Sequence, residues 1–342
     1  MFFKNEEDIE KINKLIDDLV NEEKYIFNQT SQTVENLIET FRTACEGGKR
    51  LRALLVLFGY RLAAGDEIPD DIYKAAASYE IFQTGILIHD DIIDNSKLRR
   101  DKPTVHVALG GDKLAESNAI CLGDFGIFLS ERVLSKLEVE PERLVKAMRI
   151  YNKTLMNTIA GELLDVNAPY SKHVNRERIE NIAYYKTAWY TIIGPMLFGA
   201  ILGGAKNKLL ENIEEFGRHA GIAFQYRDDI LGIFGSEATI GKSVTSDIEE
   251  KKLTLLYLFT LEEANSEQVE IMNAYYGKEN VSEKEARIIR EMMGDLEVDM
   301  KVEKIIKEEV KLARDCIKSL TKRAELEDEL QNFVDYLVLR EK

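Results

Sequence analysis

Carboxylates are concentrated in two places where apolar sequence gives way abruptly to acid. In SYEIFQTGILIHDDIIDNSKLRR, residues 78–100, an apolar run ends at His89, and Asp90, Asp91 and Asp94 follow together. On a helix, Asp90 and Asp94 lie one turn apart on one face, with Asp91 displaced around the axis. Like charges this close repel one another, and a neutralising cation is what makes such a cluster tolerable. Carboxylate-only ligation suits Mg²⁺, which keeps part of its water shell and shares oxygens with substrate phosphates. Arg99 and Arg100 come directly afterwards and offer forked donors for phosphate beside that metal.

The second place is FQYRDDILGIFGSEATIGKSVTSDIEEKK, residues 224–252. Asp228 and Asp229 follow the mainly apolar run Ala220 to Phe224, Gln225 stands one turn before Asp229, and Lys242 and Lys252 lie beyond on loop-like sequence. Taken alone, each stretch also fits a solvated acidic helix end. The segment from Gly235 to Ser243 imitates the phosphate loop of nucleotide enzymes, but five residues separate its glycines where that motif has four, and no strand precedes it. Nucleotide binding is not expected.

Two basic signals are weaker. GGKRLR, residues 47–52, opens a helix with the apolar body Leu51, Leu54, Leu55 and Phe58. Lys49 and Arg52, three apart, are expected to share a face near its N-terminus, where free backbone N–H groups also favour an anion. A surface basic cluster gives the same pattern. Lys186-Thr187 in AYYKTAWY places an ammonium and a hydroxyl inside an otherwise apolar helix, where a lone lysine more often extends to water.

The elements that must position these residues are helices. Ile9, Ile12, Leu15, Ile16 and Leu19 form an amphipathic stripe, as do Ile306, Val310, Ala313, Ile317 and Leu320. Only five prolines interrupt the chain, strand-length alternation is hard to find, and neither a repeat nor a low-complexity linker appears. The expectation is a single all-α domain over residues 1–342, with moderately polar flanking helices from residue 265 onward. A formal charge of −15 argues against nucleic acid as a partner. Cys45, Cys121 and Cys316 lie far apart, which fits neither a disulfide framework nor a thiolate zinc site and suits a reducing cytoplasm. The acidic start is unlike a signal peptide, and the longest apolar stretch, Thr191 to Ala205, is too short to span a bilayer.

In their order along the chain, GGKRLR, HDDIIDNSKLRRDKPTVH, KT, FQYRDD, GK and KLTLL closely resemble the trans-isoprenyl diphosphate synthases of the polyprenyl synthetase family. The resemblance spans residues 47–256. It implies an all-α multi-helix bundle with the two Asp-rich helices facing a central cavity, a homodimer, and Mg²⁺-dependent condensation of isopentenyl diphosphate with allylic diphosphates. Carried over by position, Asp90, Asp94 and Asp228 are the implied metal ligands, with Asp91 and Asp229 supporting. Lys49, Arg52, Gln83 and Arg100, with Arg50 a lesser candidate, are implied around the diphosphate of isopentenyl diphosphate. Arg99, Lys186, Thr187, Gln225, Lys242 and Lys252 are implied around the allylic diphosphate. The chain departs from the family pattern in Gln83, often His; in Gly232, where a third Asp is usual; and in Lys251, where Gly is usual, a change expected to matter little.

For product length, the family often stops growth at fifteen carbons with an aromatic residue five before the first Asp. That position is Gly85, followed by Ile86. The next bulky residue, Phe82, lies about 4.5 Å deeper on a helix, roughly one isoprene unit. Geranylgeranyl diphosphate is the expected product, with farnesyl or longer products as alternatives. A class I terpene cyclase would not need the Lys49/Arg52 site, and a non-catalytic regulatory subunit would tolerate loss of an Asp pair, whereas both pairs are intact.

Overall fold

A computed structural model describes residues 6–29, 31–171, 174–235 and 245–338. In chain order the elements are α1 (Glu6–Asn28), α2 (Gln32–Ala44), α3 (Leu51–Ala64), α4 (Asp70–Ile93), the two-residue strands β1 (Leu98–Arg99) and β2 (Lys102–Pro103), α5 (Val105–Ala108), α6 (Lys113–Ser135) and α7 (Pro141–Val166). There follow α8 (Arg176–Ile182), a π-helix (Ala183–Ile193), α9 (Gly194–Leu202), α10 (Asn207–Phe234), α11 (Ser246–Glu249), α12 (Leu255–Glu263), α13 (Ser266–Tyr275), α14 (Glu283–Asp295), α15 (Val298–Leu320) and α16 (Ala324–Val338). The fold is all-α, as the helical periodicity predicts, and no described helix is long and apolar enough to cross a membrane. Residues 6–151 with 195–210 form one compact unit, and residues 152–194 with 211–338 form another.

The first unit is built around α4. Every residue from Ala75 to Gly85 is buried, because this helix is apolar on all sides and must be covered on all sides. Its neighbours are α6, α3 and α1, the last contributing buried Ile12 and Ile16 from the predicted stripe. Gly85 sets the approach of α6: a Cβ there would lie 2.6 Å from the Gly123 carbonyl oxygen and 3.2 Å from the Ile127 nitrogen. The space beside Gly85 that the sequence suggests as room for a product tail is therefore filled by the α6 backbone. Ile86 is half-buried. Phe82 is fully buried among Tyr79, Tyr151 and Phe198, with ring centroids 5.1–6.2 Å apart and mostly edge-to-face.

The second unit has its own core, in which Ile222 and Tyr226 of α10 meet Ile248, Leu256, Ile289 and Val302. The predicted C-terminal stripe falls on α15, where Ile306, Ala313, Ile317 and Leu320 are buried. Capping boxes, Asn265 with Gln268 and Ser282 with Glu285, start α13 and α14. One stretch departs from an ordinary helix. The eleven residues AYYKTAWYTII wind as a π-helix, whose i→i+5 bonding makes it wider than an α-helix. Along one side of α10, Gly217 and Gly221 meet this π-helix at Ile193 and Ala188. Five residues on the π-helix thus span what four span on α10, and the two backbones stay matched. A Cβ at Gly221 would overlap Cα and Cβ of Ala188. Gly221→Ala is expected to cost about 1–3 kcal/mol by overpacking, read as a lowered denaturant midpoint; an unchanged midpoint would mean that this contact does not set the spacing.

Candidate active site

In the first unit, α4 ends in Asp90 and Asp91, and Asp94 forms its C-cap, its N–H donating to the Asp90 carbonyl at 2.9 Å. The last turn carries no basic residue, so three carboxylates stand at the negative end of the helix dipole. Arg99 answers part of that charge: its Nε donates to Asp91 Oδ1 at 2.7 Å and its Nη2 to Asp90 Oδ2 at 2.9 Å. Burial pushes the Asp91 carboxyl up to about 6 against the pull of Arg99, with Asp90 and Asp94 adding to the rise. Arg99 is placed by the β1–β2 hairpin, whose two turn residues, Arg100 and Asp101, both have positive φ (54° and 62°), the pattern of a type I′ turn.

The same hairpin swings Arg100 over the GGKRLR loop. Gly47 and Gly48 have φ of 75° and 84°, and a Cβ on Gly48 would sit 2.8 Å from both terminal nitrogens of Arg100. A cavity of about 390 Å³ opens here, lined by Gly47, Gly48, Gln83, Asp91, Arg99 and Arg100 among others. Loss of hydration lowers the Arg100 pKa; Glu80 opposes the shift, and Arg50, Arg99 and Arg52 add to it. So much gathered positive charge suits a polyanion.

The loop corrects one expectation. Helix α3 starts only at Leu51, and Arg50 before it is left-handed, with φ 53°. Lys49 is therefore exposed outside the helix and shares no helical face with Arg52. The cause is the buried Arg50 side chain, which donates to Asn13 Oδ1 at 2.6 Å and to the Cys45 carbonyl at 2.7 Å and lies 3.5 Å from Glu80. These contacts offset the roughly 1–2 kcal/mol of a left-handed non-glycine residue, and they make Arg50 a support of the loop.

Glu80, which sequence reasoning passed over, joins these parts. Its carboxylate, 4 % exposed, accepts the Ala53 N–H at 3.1 Å and so satisfies the N-terminus of α3 from another helix. The Gln83 amide satisfies both of its neighbours when its nitrogen faces Glu80 at 3.1 Å and its oxygen accepts from Arg52 at 2.9 Å. A lone charge inside the apolar run of α4 was the available signal, since a buried carboxylate needs partners.

In the second unit, the row Gly217, Gly221, Gln225, Asp229 runs at four-residue steps along α10. Below its two glycines, the Thr187 hydroxyl donates to the Gln225 carbonyl, and the Gln225 amide donates to Asp229 Oδ1 at 2.7 Å. Asp229 is buried and Asp228 exposed. Burial raises the Asp229 carboxyl to about 8; Gln225 opposes this, while Asp247 and Asp228 add to it. Lys252 donates to Asp247 Oδ1 at 3.0 Å. Lys186 does not simply reach water: Glu162 and Asp165, neither singled out from sequence, hold it at 2.8 and 2.6 Å. Lys251 has φ 54°, so the family's Gly suits the backbone there, and lysine adds local strain. Lys242 lies outside the described residues.

The donors fit a divalent metal. Both Asp sites offer carboxylate oxygens only, both lie toward the C-terminal end of a helix with no basic residue in its last turn, and Asp229 is pushed toward the neutral form.

Residues 34–293 match the family model described as polyprenyl synthetase. The chain belongs to the polyprenyl synthetase family. It is a trans-prenyltransferase, joining isopentenyl diphosphate to allylic diphosphates, in a family that uses a divalent metal. It is 33% identical over 283 residues to the geranylgeranyl diphosphate synthase of Saccharolobus solfataricus, covering 78% of this chain and 82% of that one. It is 34% identical over 270 residues to the farnesyl diphosphate synthase of Bacillus subtilis, covering 74% and 87%. Among solved structures, geranylgeranyl pyrophosphate synthase from Corynebacterium glutamicum, complexed with isoprenyl diphosphate and magnesium, superposes with a TM-score of 0.89 at 28% identity, covering 96% and 99%.

Gly48→Ala is expected to displace Arg100 and raise KM for isopentenyl diphosphate about tenfold or more, as loss of a charged hydrogen bond does, with a smaller change for the allylic substrate. Equal effects on both would dissociate Arg100 from that subsite. In metal-free protein, Asp229 keeps its proton when folded up to about pH 8 but loses it near 3.8 when unfolded. Its raised pKa contributes stability below pH 3.8 that is lost as pH rises through about 8. The melting temperature in chelator should therefore fall between pH 5 and 8 (on the order of these limits) more steeply than that of Asp229→Asn; parallel slopes would show an ordinary Asp229.

Proposed function

We propose that the protein is a Mg²⁺-dependent geranylgeranyl diphosphate synthase acting as a cytoplasmic homodimer. The observation that carries this reading is the grouping of Asp90, Asp91 and Asp94 at the negative end of α4 beside a cavity rimmed by Arg99 and Arg100. Metal-binding oxygens and phosphate donors then adjoin. Asp90, Asp94 and Asp228 would hold Mg²⁺, supported by Asp91 and Asp229, and the bound ion supplies Lewis acidity toward the leaving diphosphate. Lys49, Arg52, Gln83 and Arg100 bind the diphosphate of isopentenyl diphosphate, and Arg99, Lys186, Thr187, Gln225, Lys242 and Lys252 orient the allylic diphosphate. The allylic C–O bond breaks, the homoallylic double bond attacks the resulting cation, and a proton passes to the departing diphosphate. The cationic side chains are most useful where that leaving charge develops.

Because α6 closes the face of α4 at Gly85, a tail that ends at Phe82 descends another face of the helix, and Phe82, backed by the rings of Tyr79 and Tyr151, then stops it at twenty carbons. The relatives' names run from farnesyl through geranylgeranyl to geranylfarnesyl products, and the geranylgeranyl synthases among them support the twenty-carbon reading. Exposed Leu114, Ile120 and Phe128 along α6 support a second copy as the covering surface. Cys45, Cys121 and Cys316 are all free, in keeping with a reducing compartment.

The test is to incubate purified protein with Mg²⁺, isopentenyl diphosphate and, separately, dimethylallyl, geranyl and farnesyl diphosphates, then size the dephosphorylated alcohols. Geranylgeraniol is expected, with longer alcohols from Phe82→Ala. Farnesol from the wild type, or an unchanged product from the variant, would remove Phe82 as the floor; no condensation with any primer would favour a regulatory subunit.

A further inference from the structure

The second Asp-rich segment, Asp228-Asp229-Ile230-Leu231-Gly232, has no carboxylate at its fifth position. Gly232 lies four residues after Asp228, so a side chain there would rise on the same side of α10. It is buried, and the place its side chain would take is already filled. A Cβ built on Gly232 overlaps Oδ2 of Asp247 and lies 2.8 Å from its Cγ. Asp247 comes from α11, outside α10, and is 4 % exposed. Its other oxygen accepts from Lys252 Nζ at 3.0 Å, and its carbonyl accepts the Lys252 N–H at 3.1 Å. Its charge also bears on Asp229.

We propose that Asp247 supplies, from α11, the third carboxylate that α10 lacks, and that it acts as a positioning residue for Lys252 and the Asp228–Asp229 pair toward a metal-bound diphosphate. The glycine is the other half of this arrangement, because any side chain at 232 would evict the Asp247 carboxylate. Within the acidic surroundings of Asp229, Asp247 fixes Lys252 at one oxygen and keeps the other beside α10. The inference rests on the functional reading above, and its test separates the two.

Binding of inorganic diphosphate in the presence of Mg²⁺ is measured by calorimetry for the wild type, the isosteric Asp247→Asn, Gly232→Asp, Asp247→Gly and the double variant Gly232→Asp/Asp247→Gly, each checked for a native melting transition. Asp247→Asn and Gly232→Asp are each expected to weaken metal-dependent binding by about tenfold or more, the usual scale for residues that orient metal ligands. The double variant, with the carboxylate returned to α10, is expected to recover most of the loss. In turnover, KM for the allylic substrate should rise while KM for isopentenyl diphosphate stays near its original value. Wild-type binding by Asp247→Asn, or a double variant no better than Asp247→Gly, overturns the proposal while leaving the synthase reading intact. If Asp247→Gly does not fold, Asp247→Asn alone decides. A wild type that binds no Mg²⁺-diphosphate overturns both.

Discussion

A carboxylate at the carboxyl end of a helix faces the wrong end of a dipole, and α4 gathers three there, while α10 carries an acidic pair more than a turn before its end. α4 ends in Asp90, Asp91 and Asp94, and α10 carries Asp228 and Asp229 toward its end, with no basic residue in either last turn. Each unit answers with cations brought from elsewhere in the chain: Arg99 on a tight hairpin in one, Lys252 after a single turn of helix in the other. Neither answer is complete: loss of hydration, first of all, raises the carboxyls of Asp91 and Asp229, and the neighbouring carboxylates add to the rise. That unbalanced charge is what a divalent ion with its diphosphate would settle, so binding is written into the folding electrostatics.

Holding such charges in place requires rigid, closely spaced backbones, and small residues provide them. Gly85 lets α6 close on α4, and Gly221 lets the π-helix close on α10. In both cases the glycine sits one or two turns before the acids, so the packing and the chemistry share one helix. Buried carboxylates complete the scaffold: Glu80 ties the N-terminus of α3 to Gln83 and Arg52. The cavity beside Arg99 and Arg100 is therefore shaped in part by a buried carboxylate on its own wall.

Much of this was legible in the residues. Apolar periodicity marks α1 and α15, and the ordered motifs mark both Asp sites, because these signals are local and repeat every three or four positions. What was not legible depends on through-space packing. GGKRLR reads as a helix start with Lys49 and Arg52 on one face, yet the buried bonds of Arg50 delay that start to Leu51. Gly85 reads as vacant space for a product, yet its neighbour is a backbone 38 positions away (Gly123 against Gly85). Lys186 reads as a lone lysine, and only the fold brings Glu162 and Asp165 to it.

The π-helix has a consequence for how this sequence can change. A wider helix holds more residues per turn than its neighbours, so Ala183–Ile193 behaves as a counted segment, in which the number of residues matters as well as their kinds. Removing a single residue there would let the stretch relax toward ordinary winding and turn Lys186 and Thr187 by about 100° around the axis, away from Asp165 and Gln225. Thr187 to Ile193 are buried without a break, so the segment constrains its length as well as its side chains.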